Sequence, residues 1–213
     1  MVDLFLKGTW ETLIMTFASG FFGALIGIPL GVLLFITRPG QIKESLIFNS
    51  VLSAIINIFR AIPFIILIVW MIPFTRMVVG TSIGVVAALV PLSVGAAPFI
   101  ARMAENSFLE VPSGLIEASR AMGATPLQII RKVLIPESLP SLINSITITL
   151  ITLVGYSAMG GAVGAGGLGQ IGYQYGYVGY DTVTMNIVLI LLVLLVFIIQ
   201  FTGNRISKAT DHR

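Results

Sequence analysis

Five long stretches of the sequence carry almost no charged residues, and this feature constrains the fold more than any other. Each stretch reaches about 20 residues, the length at which an α-helix crosses the hydrocarbon core of a bilayer. Only 10% of the 213 residues are charged, whereas soluble domains carry about 25%. A soluble chain of this length has too little interior to bury so much apolar surface. The sequence therefore predicts an integral membrane protein.

The predicted fold class is all-α, with five transmembrane helices in a single domain that covers residues 1–213. Closed β-barrels also span membranes, but the alternating segments of about ten residues that mark them are not found. The predicted spans are residues 12–37, 47–74, 78–100, 141–160 and 182–202.

The basic residues between the spans predict the orientation. One set of connecting segments holds Arg38, Lys43, Arg102, Arg120, Arg131, Lys132, Arg205, Lys208 and Arg213. The other set holds only Lys7 and Arg76. Because basic loops remain in the cytoplasm, we expect the N-terminus outside and the C-terminus inside.

Arg60 is a charge inside the predicted second span. An ionisable residue at membrane depth is a functional hypothesis by default. The alternative is that Arg60 lies near the cytoplasmic end and extends its guanidinium to the interface.

The longest polar stretch of the chain lies between the third and fourth spans, at residues 113–136. Ser113 is a candidate cap for a helix over 115–122, and Gly123 is suited to end that helix. Thr125, Pro126 and Gln128 then predict a second start, with a cap, a first-turn proline and a capping-box partner. We expect this second helix to stop before Pro136.

A helix–turn–helix outline also occurs in DNA-binding proteins, but spans on both sides would hold this unit against the membrane. A merely solvated loop is the other alternative. Against it, Leu115, Ala118, Ala121 and Met122 follow one face of the first helix, and such a face favours a partner groove.

The stretch resembles the EAA loop of permease subunits of bacterial ABC importers. That pattern is matched by Glu117-Ala118-Ser119, by Gly123 and by the run Val133 to Pro136, with mild replacements at three positions. The resemblance implies a coupling helix that docks on a cytoplasmic ATPase. The residues expected to couple are Glu117, Ala118, Ser119, Ala121, Met122 and Gly123.

Nearly the whole chain is similar to the permeases of methionine ABC importers, on the segments FRAIPFIILIVWMIPFTR, VPLSVGAAPFIARMAEN and TLITLVGYSAMGGAVGAGGLGQIGYQYGY. The resemblance implies the type I importer permease fold in the inner membrane, with the coupling loop between helices 3 and 4. It also implies a permease homodimer, two cytoplasmic ATPase subunits, a periplasmic methionine-binding lipoprotein, and import of D- and L-methionine by alternating access.

The chain carries no G-x-x-x-x-G-K-[ST] sequence, so we expect ATP hydrolysis by a separate subunit and no catalysis by this one. The run GAGGLG at 164–169 matches a dinucleotide fingerprint, but it follows a membrane helix instead of a strand. No cofactor or metal is expected. A secondary transporter would need buried ionisable residues, and an intramembrane enzyme would need a nucleophile–base or metal set.

A glycine-rich segment covers residues 155–179, and irregular backbone at membrane depth is tolerated only against protein or a water-filled cavity. We expect Tyr156, Ser157, Met159 and Gly160 to border the translocation pathway. Met159 is interpreted either as an adaptable gate or as a side chain packed on a neighbouring helix. The later tyrosines of the segment fit an aromatic belt.

Gly23, Gly27 and Gly31 are spaced four residues apart. This spacing predicts a close helix–helix contact, either within the subunit or with a second copy.

Overall fold

The computed structural model describes residues 1–211; His212 and Arg213 lie outside the described residues. Within residues 1–211 the chain forms helices and turns without strands. The α-helices are α1 (Val2–Ile36), α2 (Leu46–Ala61), α3 (Phe64–Trp70), α4 (Ile72–Val79), α5 (Val85–Leu109), α6 (Ser113–Ala121), α7 (Pro126–Ile129), α8 (Ile135–Gly161), α9 (Gly167–Ile171) and α10 (Thr182–Thr210). Two π-helical segments, Ile130–Leu134 and Gly172–Val178, follow α7 and α9.

Four helical stretches are long and apolar enough to cross a membrane: Val2–Ile36, Val85–Leu109, Pro126–Gly161 and Thr182–Thr210. The pair α2 and α3 passes the same criterion together and makes a possible fifth span. The predicted all-α membrane fold is thus confirmed. α1 begins ten residues before the predicted first span, so Glu11 belongs to a long helix instead of an outer tail.

The expected second span is not one helix. α2 and α3 meet at an angle of 96°, at Ile62 and Pro63, which both have extended backbone with ψ of 122° and 131°. Proline disfavours the helical conformation at the residue before it, and Ile62 has extended backbone accordingly. Arg60 lies in the last turn of α2, two residues before the break.

The glycines of α1 form its contact with α5. A Cβ built on Gly23 would lie 2.8 Å from the Cβ of Ala96, and one on Gly27 would lie 2.6 Å from the carbonyl oxygen of Ala97. Gly31 approaches Ala101 in the same way, at 2.7 Å. These glycines therefore pack inside the subunit, which resolves the alternative left by the sequence.

α10 begins at a well-formed cap. The carboxylate of Asp181 accepts hydrogen bonds from the hydroxyl of Thr184 and from the N–H groups of Thr184 and Val183. The Thr184 hydroxyl, followed by these amides, holds the pKa of Asp181 below its ordinary value. The cap fixes the point at which the chain enters its last span.

Candidate functional site

The loop between α5 and α8 presents the short helix α6 on the surface. Ala118 and Ala121 are exposed, as is Met122, at 81% of its maximum exposure. Leu115 is 42% exposed. No other part of residues 1–211 covers the predicted apolar face, which is therefore exposed on the surface of the subunit. Glu117 is also exposed, in the middle of the helix.

The end of α6 follows the prediction for Gly123. Its φ is +80°, a left-handed conformation that a residue with a side chain adopts only at a cost. The N–H of Ala124 donates to the carbonyl of Ser119 at 3.1 Å, and the N–H of Gly123 donates to the carbonyl of Arg120 at 3.0 Å. These two bonds make a Schellman motif, which fixes the angle between α6 and α7.

The start of α7 is the predicted capping box. The hydroxyl of Thr125 accepts from the N–H of Gln128 at 3.4 Å, and the side-chain oxygen of Gln128 accepts from the N–H of Thr125 at 2.8 Å. Pro126 takes the first helical position. Local signals in the sequence therefore located this boundary correctly.

Two local predictions were wrong. Ser113 is already the first residue of α6, and its side chain makes no cap, because the extended residue Pro112 occupies the cap position. The helix after Thr125 does not stop before Pro136 either. It widens into the π-helical segment Ile130–Leu134 and continues as α8. This wider turn lies directly before Pro136, whose missing N–H and ring disturb the hydrogen bonding of a regular α-helix.

The loop is anchored on the ends of α1 and α5 by an apolar cluster. Ile116 of α6, Ile129 of α7 and Leu134 are buried against Phe35 and Phe108. The two phenylalanine rings lie 5.9 Å apart between centroids. Ser119, predicted as a coupling residue, is also buried, and its hydroxyl donates to the carbonyl of Leu115. It supports the helix from inside, while its neighbours form the outer face.

A buried carboxylate lies beneath this loop, and the sequence interpretation missed it. Glu105 of α5 is 2% exposed. It accepts a hydrogen bond from Arg38 at 2.9 Å and another from Arg102 at 2.6 Å. Arg102 also donates to Ser53 and to Asn57 of α2. The cluster ties α2 and α5 to the segment that follows α1, just before the chain enters α6. The i,i+3 spacing of Arg102 and Glu105 is the one sequence signal that pointed to it.

The predicted pathway residues lie in the last turns of α8, and they differ in exposure. Ser157 and Gly160 are buried inside the subunit, and the Ser157 hydroxyl donates to the carbonyl of Val154. Tyr156 is half-buried and stacks on Phe64, with centroids 4.3 Å apart. Met159 is 48% exposed. Only Tyr156 and Met159 therefore present side chains toward a space outside the subunit core.

The glycine-rich segment after α8 folds back against α1. The N–H of Gly167 donates to Glu11 at 2.8 Å, and the N–H of Leu168 donates to the hydroxyl of Thr12 at 2.9 Å. Gly166 has a φ of +94° and comes so close that a Cβ on it would lie 2.9 Å from the Glu11 carboxylate. The GAGGLG run is thus a tight turn held by α1. The role of Glu11 was also missed from the sequence.

Residues 23–212 match the family model described as the inner membrane component of binding-protein-dependent transport systems. This range covers the glycine face of α1, the surface helix α6 and the pathway segment of α8. The chain belongs to this family of permeases. Its EAA-like loop and its helical architecture are therefore those of an ABC importer permease, as the resemblance implied.

Several curated relatives of this permease are described as methionine transport permeases. The D-methionine transport system permease proteins MetI of Salmonella typhimurium and of Escherichia coli strain K12 are each 70% identical to it over 151 residues. That range is 71% of this chain and 70% of each relative. A probable D-methionine transport system permease protein MetI of Vibrio cholerae is 54% identical over 149 residues, which cover 70% of this chain and 66% of that relative.

Solved structures that are similar to this permease identify its fold. A chain of the MetNI methionine ABC transporter, in inward-facing conformations, matches with a TM-score of 0.99 and 70% identity, covering 100% of this chain and 98% of that one. A chain of an amino acid ABC transporter with histidines matches with a TM-score of 0.71 at 21% identity, covering 98% and 92%. The latter similarity concerns the fold alone. The predicted type I permease fold is confirmed.

Proposed function

We propose that this permease imports methionine, in its D and L forms, into the cytoplasm by ATP-driven alternating access. The single observation that carries the coupling part of the proposal is α6, a helix with an uncovered apolar face on a rigid anchor. The relatives described as methionine permeases support the choice of substrate.

Two copies of the permease and two cytoplasmic ATPase subunits form the proposed assembly. The sequence lacks the phosphate-binding motif of P-loop ATPases, so ATP hydrolysis belongs to the partner and this subunit is not catalytic. When the ATPase pair closes on ATP, the two α6 helices move together. The clusters around Phe108 and Glu105 carry that movement into α1, α2 and α5 as a rigid body.

Five residues of α6 and of the turn that follows it form the proposed contact with the ATPase: Glu117, Ala118, Ala121, Met122 and Gly123. The apolar members offer a surface that fits a cleft, and Gly123 sets the direction in which the following segment leaves. Ser119 acts by holding the helix from within. This division follows from burial, since Ser119 is buried and the other five are exposed.

Met159 is the proposed side chain that closes the pathway from α8. It lies on the surface of the subunit beside Gly155, where a Cβ would meet no atom within 4 Å. An unbranched apolar side chain in such a space can close a narrow channel by excluding water. Tyr156 borders the same space from the preceding turn.

The proposed orientation has the N-terminus outside and the loop with α6 in the cytoplasm. The basic residues support it, because Arg38, Arg102 and Arg120 lie on the side of the molecule that carries α6. A periplasmic methionine-binding lipoprotein then delivers the substrate at the opposite side.

Reconstitution tests the proposal. The permease, its ATPase and the binding protein are placed in proteoliposomes, and uptake of radiolabelled methionine is measured with ATP and with a non-hydrolysable analogue. We expect accumulation of both stereoisomers with ATP only. Accumulation without the ATPase would contradict the coupling, and ATP-dependent uptake of other amino acids in place of methionine would contradict the substrate.

A further inference from the structure

Arg60 lies next to the break between α2 and α3. It is the penultimate residue of α2 and follows Leu46, at the other end of that helix, by 14 residues, or about 21 Å of helix. Phe99, which lines the same cavity as Arg60, lies in the middle third of α5. Arg60 therefore does not lie near the end of α2 that adjoins Arg38, as the alternative interpretation of its charge required.

Arg60 has no partner among residues 1–211. It is exposed, and it forms no ion pair or hydrogen bond with the described part of the chain. No Asp or Glu occurs in α2, α3 or α4. Glu11 is bound to a backbone N–H and Glu105 to two arginines. Within residues 1–211 the structure therefore offers this guanidinium no counter-charge.

A cavity of about 190 Å³ adjoins Arg60. Its other walls are largely aromatic: Phe59, Phe64, Phe99 and Tyr156. Gly95 contributes a wall without a side chain, where a Cβ would lie 3.4 Å from the Phe64 ring. The cavity thus combines one cation with apolar, aromatic surfaces, at the break between α2 and α3.

We propose that this cavity is a transient binding site for the transported amino acid, with Arg60 holding its α-carboxylate and the aromatic rings holding its side chain. Guanidinium and carboxylate form paired hydrogen bonds of favourable geometry. Thioether sulfur makes favourable contacts with aromatic rings, and an unbranched chain adapts to an irregular space. The last carbonyls of α2 carry the negative end of the helix dipole, which suits the α-ammonium group. The site rests on the proposed function, because it takes the substrate to be methionine.

Equilibrium binding tests the site apart from the delivery protein. The permease–ATPase complex is purified in nanodiscs without the binding protein, and affinities for methionine and for methioninol, which lacks the carboxylate, are compared after subtracting binding by the ATPase alone. Wild type should prefer methionine over methioninol by about ten- to a hundredfold, the range of a charge-assisted hydrogen bond. Arg60→Gln should lose this preference, with methionine bound as weakly as methioninol.

Two further variants separate the site from general damage. Arg76→Gln removes a basic residue of α4 that donates to Ser82 and should keep the preference for methionine. Gly95→Val fills the cavity while leaving Arg60 in place, and it should weaken the binding of methionine and of methioninol about equally. Assembly of each variant is checked by co-purification of the ATPase.

Three outcomes would overturn the site: equal affinities in wild type, a preserved preference in Arg60→Gln, or no methionine binding by wild type above the ATPase blank. Uptake by the complete wild-type system distinguishes this failure from that of the proposed function. Methionine uptake without binding at the cavity would contradict only the proposed site. Absence of methionine uptake would contradict the proposed function as well.

Discussion

Replacing Gly27 by alanine tests the contact between α1 and α5 most sharply. The new Cβ would lie 2.6 Å from the carbonyl oxygen of Ala97 and 2.7 Å from the Cβ of Ile100. The first distance is about 0.8 Å short of the 3.4 Å at which ordinary van der Waals contact begins. A backbone oxygen cannot rotate away, so the two helices must separate. Overpacking of this kind costs about 1–3 kcal/mol, and the better helix propensity of alanine offsets about 1 kcal/mol.

The net loss is therefore up to about 2 kcal/mol, which corresponds to a fall in melting temperature of up to about 8 °C for a chain of this size. This change in melting temperature is measured by thermal unfolding of the purified permease without its ATPase. Gly114→Ala is the matched control, since Gly114 is also helical but a Cβ there would meet nothing within 4 Å. A melting temperature of Gly27→Ala equal to or above that of Gly114→Ala would refute the packing argument.

Three further predictions concern charge, gating and pH. Glu105→Gln leaves two arginines without their shared carboxylate and should destabilise the permease by about 2–3 kcal/mol in thermal unfolding. This loss is smaller than that from breaking a fully buried ion pair, because Arg102 is partly exposed. A variant as stable as wild type would contradict the prediction. Met159→Ala should raise the basal leak of proteoliposomes while the complex stays intact. Met15→Ala, in the core, should instead lower the amount of assembled complex, because it costs about 2–5 kcal/mol of folding stability. A Met159→Ala variant without leak would reject the gate. The cap at Asp181 should be fully formed above the ordinary carboxyl pKa and lost as the pH falls through the lowered pKa of Asp181. Its loss would be measured as faster amide exchange at the start of α10, after correction for intrinsic exchange rates. Amide protection that does not change with pH would argue against the cap.

Features determined by neighbours within four residues were readable from the sequence. The Thr125–Gln128 capping box and the left-handed turn at Gly123 each depend on a few adjacent positions. The same short range explains the correct prediction that α6 has an apolar outer face. The spans were also readable, because each is one continuous apolar stretch of about 20 residues. The family resemblance rested on longer continuous segments, which are also read directly from the sequence.

Features that depend on distant contacts or on alternative local solutions were not readable. Glu105 meets Arg38 across 67 positions and Glu11 meets Gly167 across 156, so the spacing of residues gives no indication of either bond. Pro63 and Pro136 illustrate the second case. One proline breaks the second span, whereas the other is absorbed by a π-helical turn, because the outcome depends on the packing around each.

Crosslinking from α6 tests the central claim, that this helix is the contact through which the ATPase drives the permease. The chain contains no cysteine, so Met122→Cys provides a single attachment point for a thiol-reactive photocrosslinker. Tyr180→Cys is the control, since Tyr180 is 90% exposed and Met122 81%, and it precedes α10 instead of following α6. In the assembled transporter, Met122→Cys should give a permease–ATPase product whose yield changes with ATP, and Tyr180→Cys should give none. Equal yields from both positions, or a product from Tyr180→Cys alone, would contradict the account.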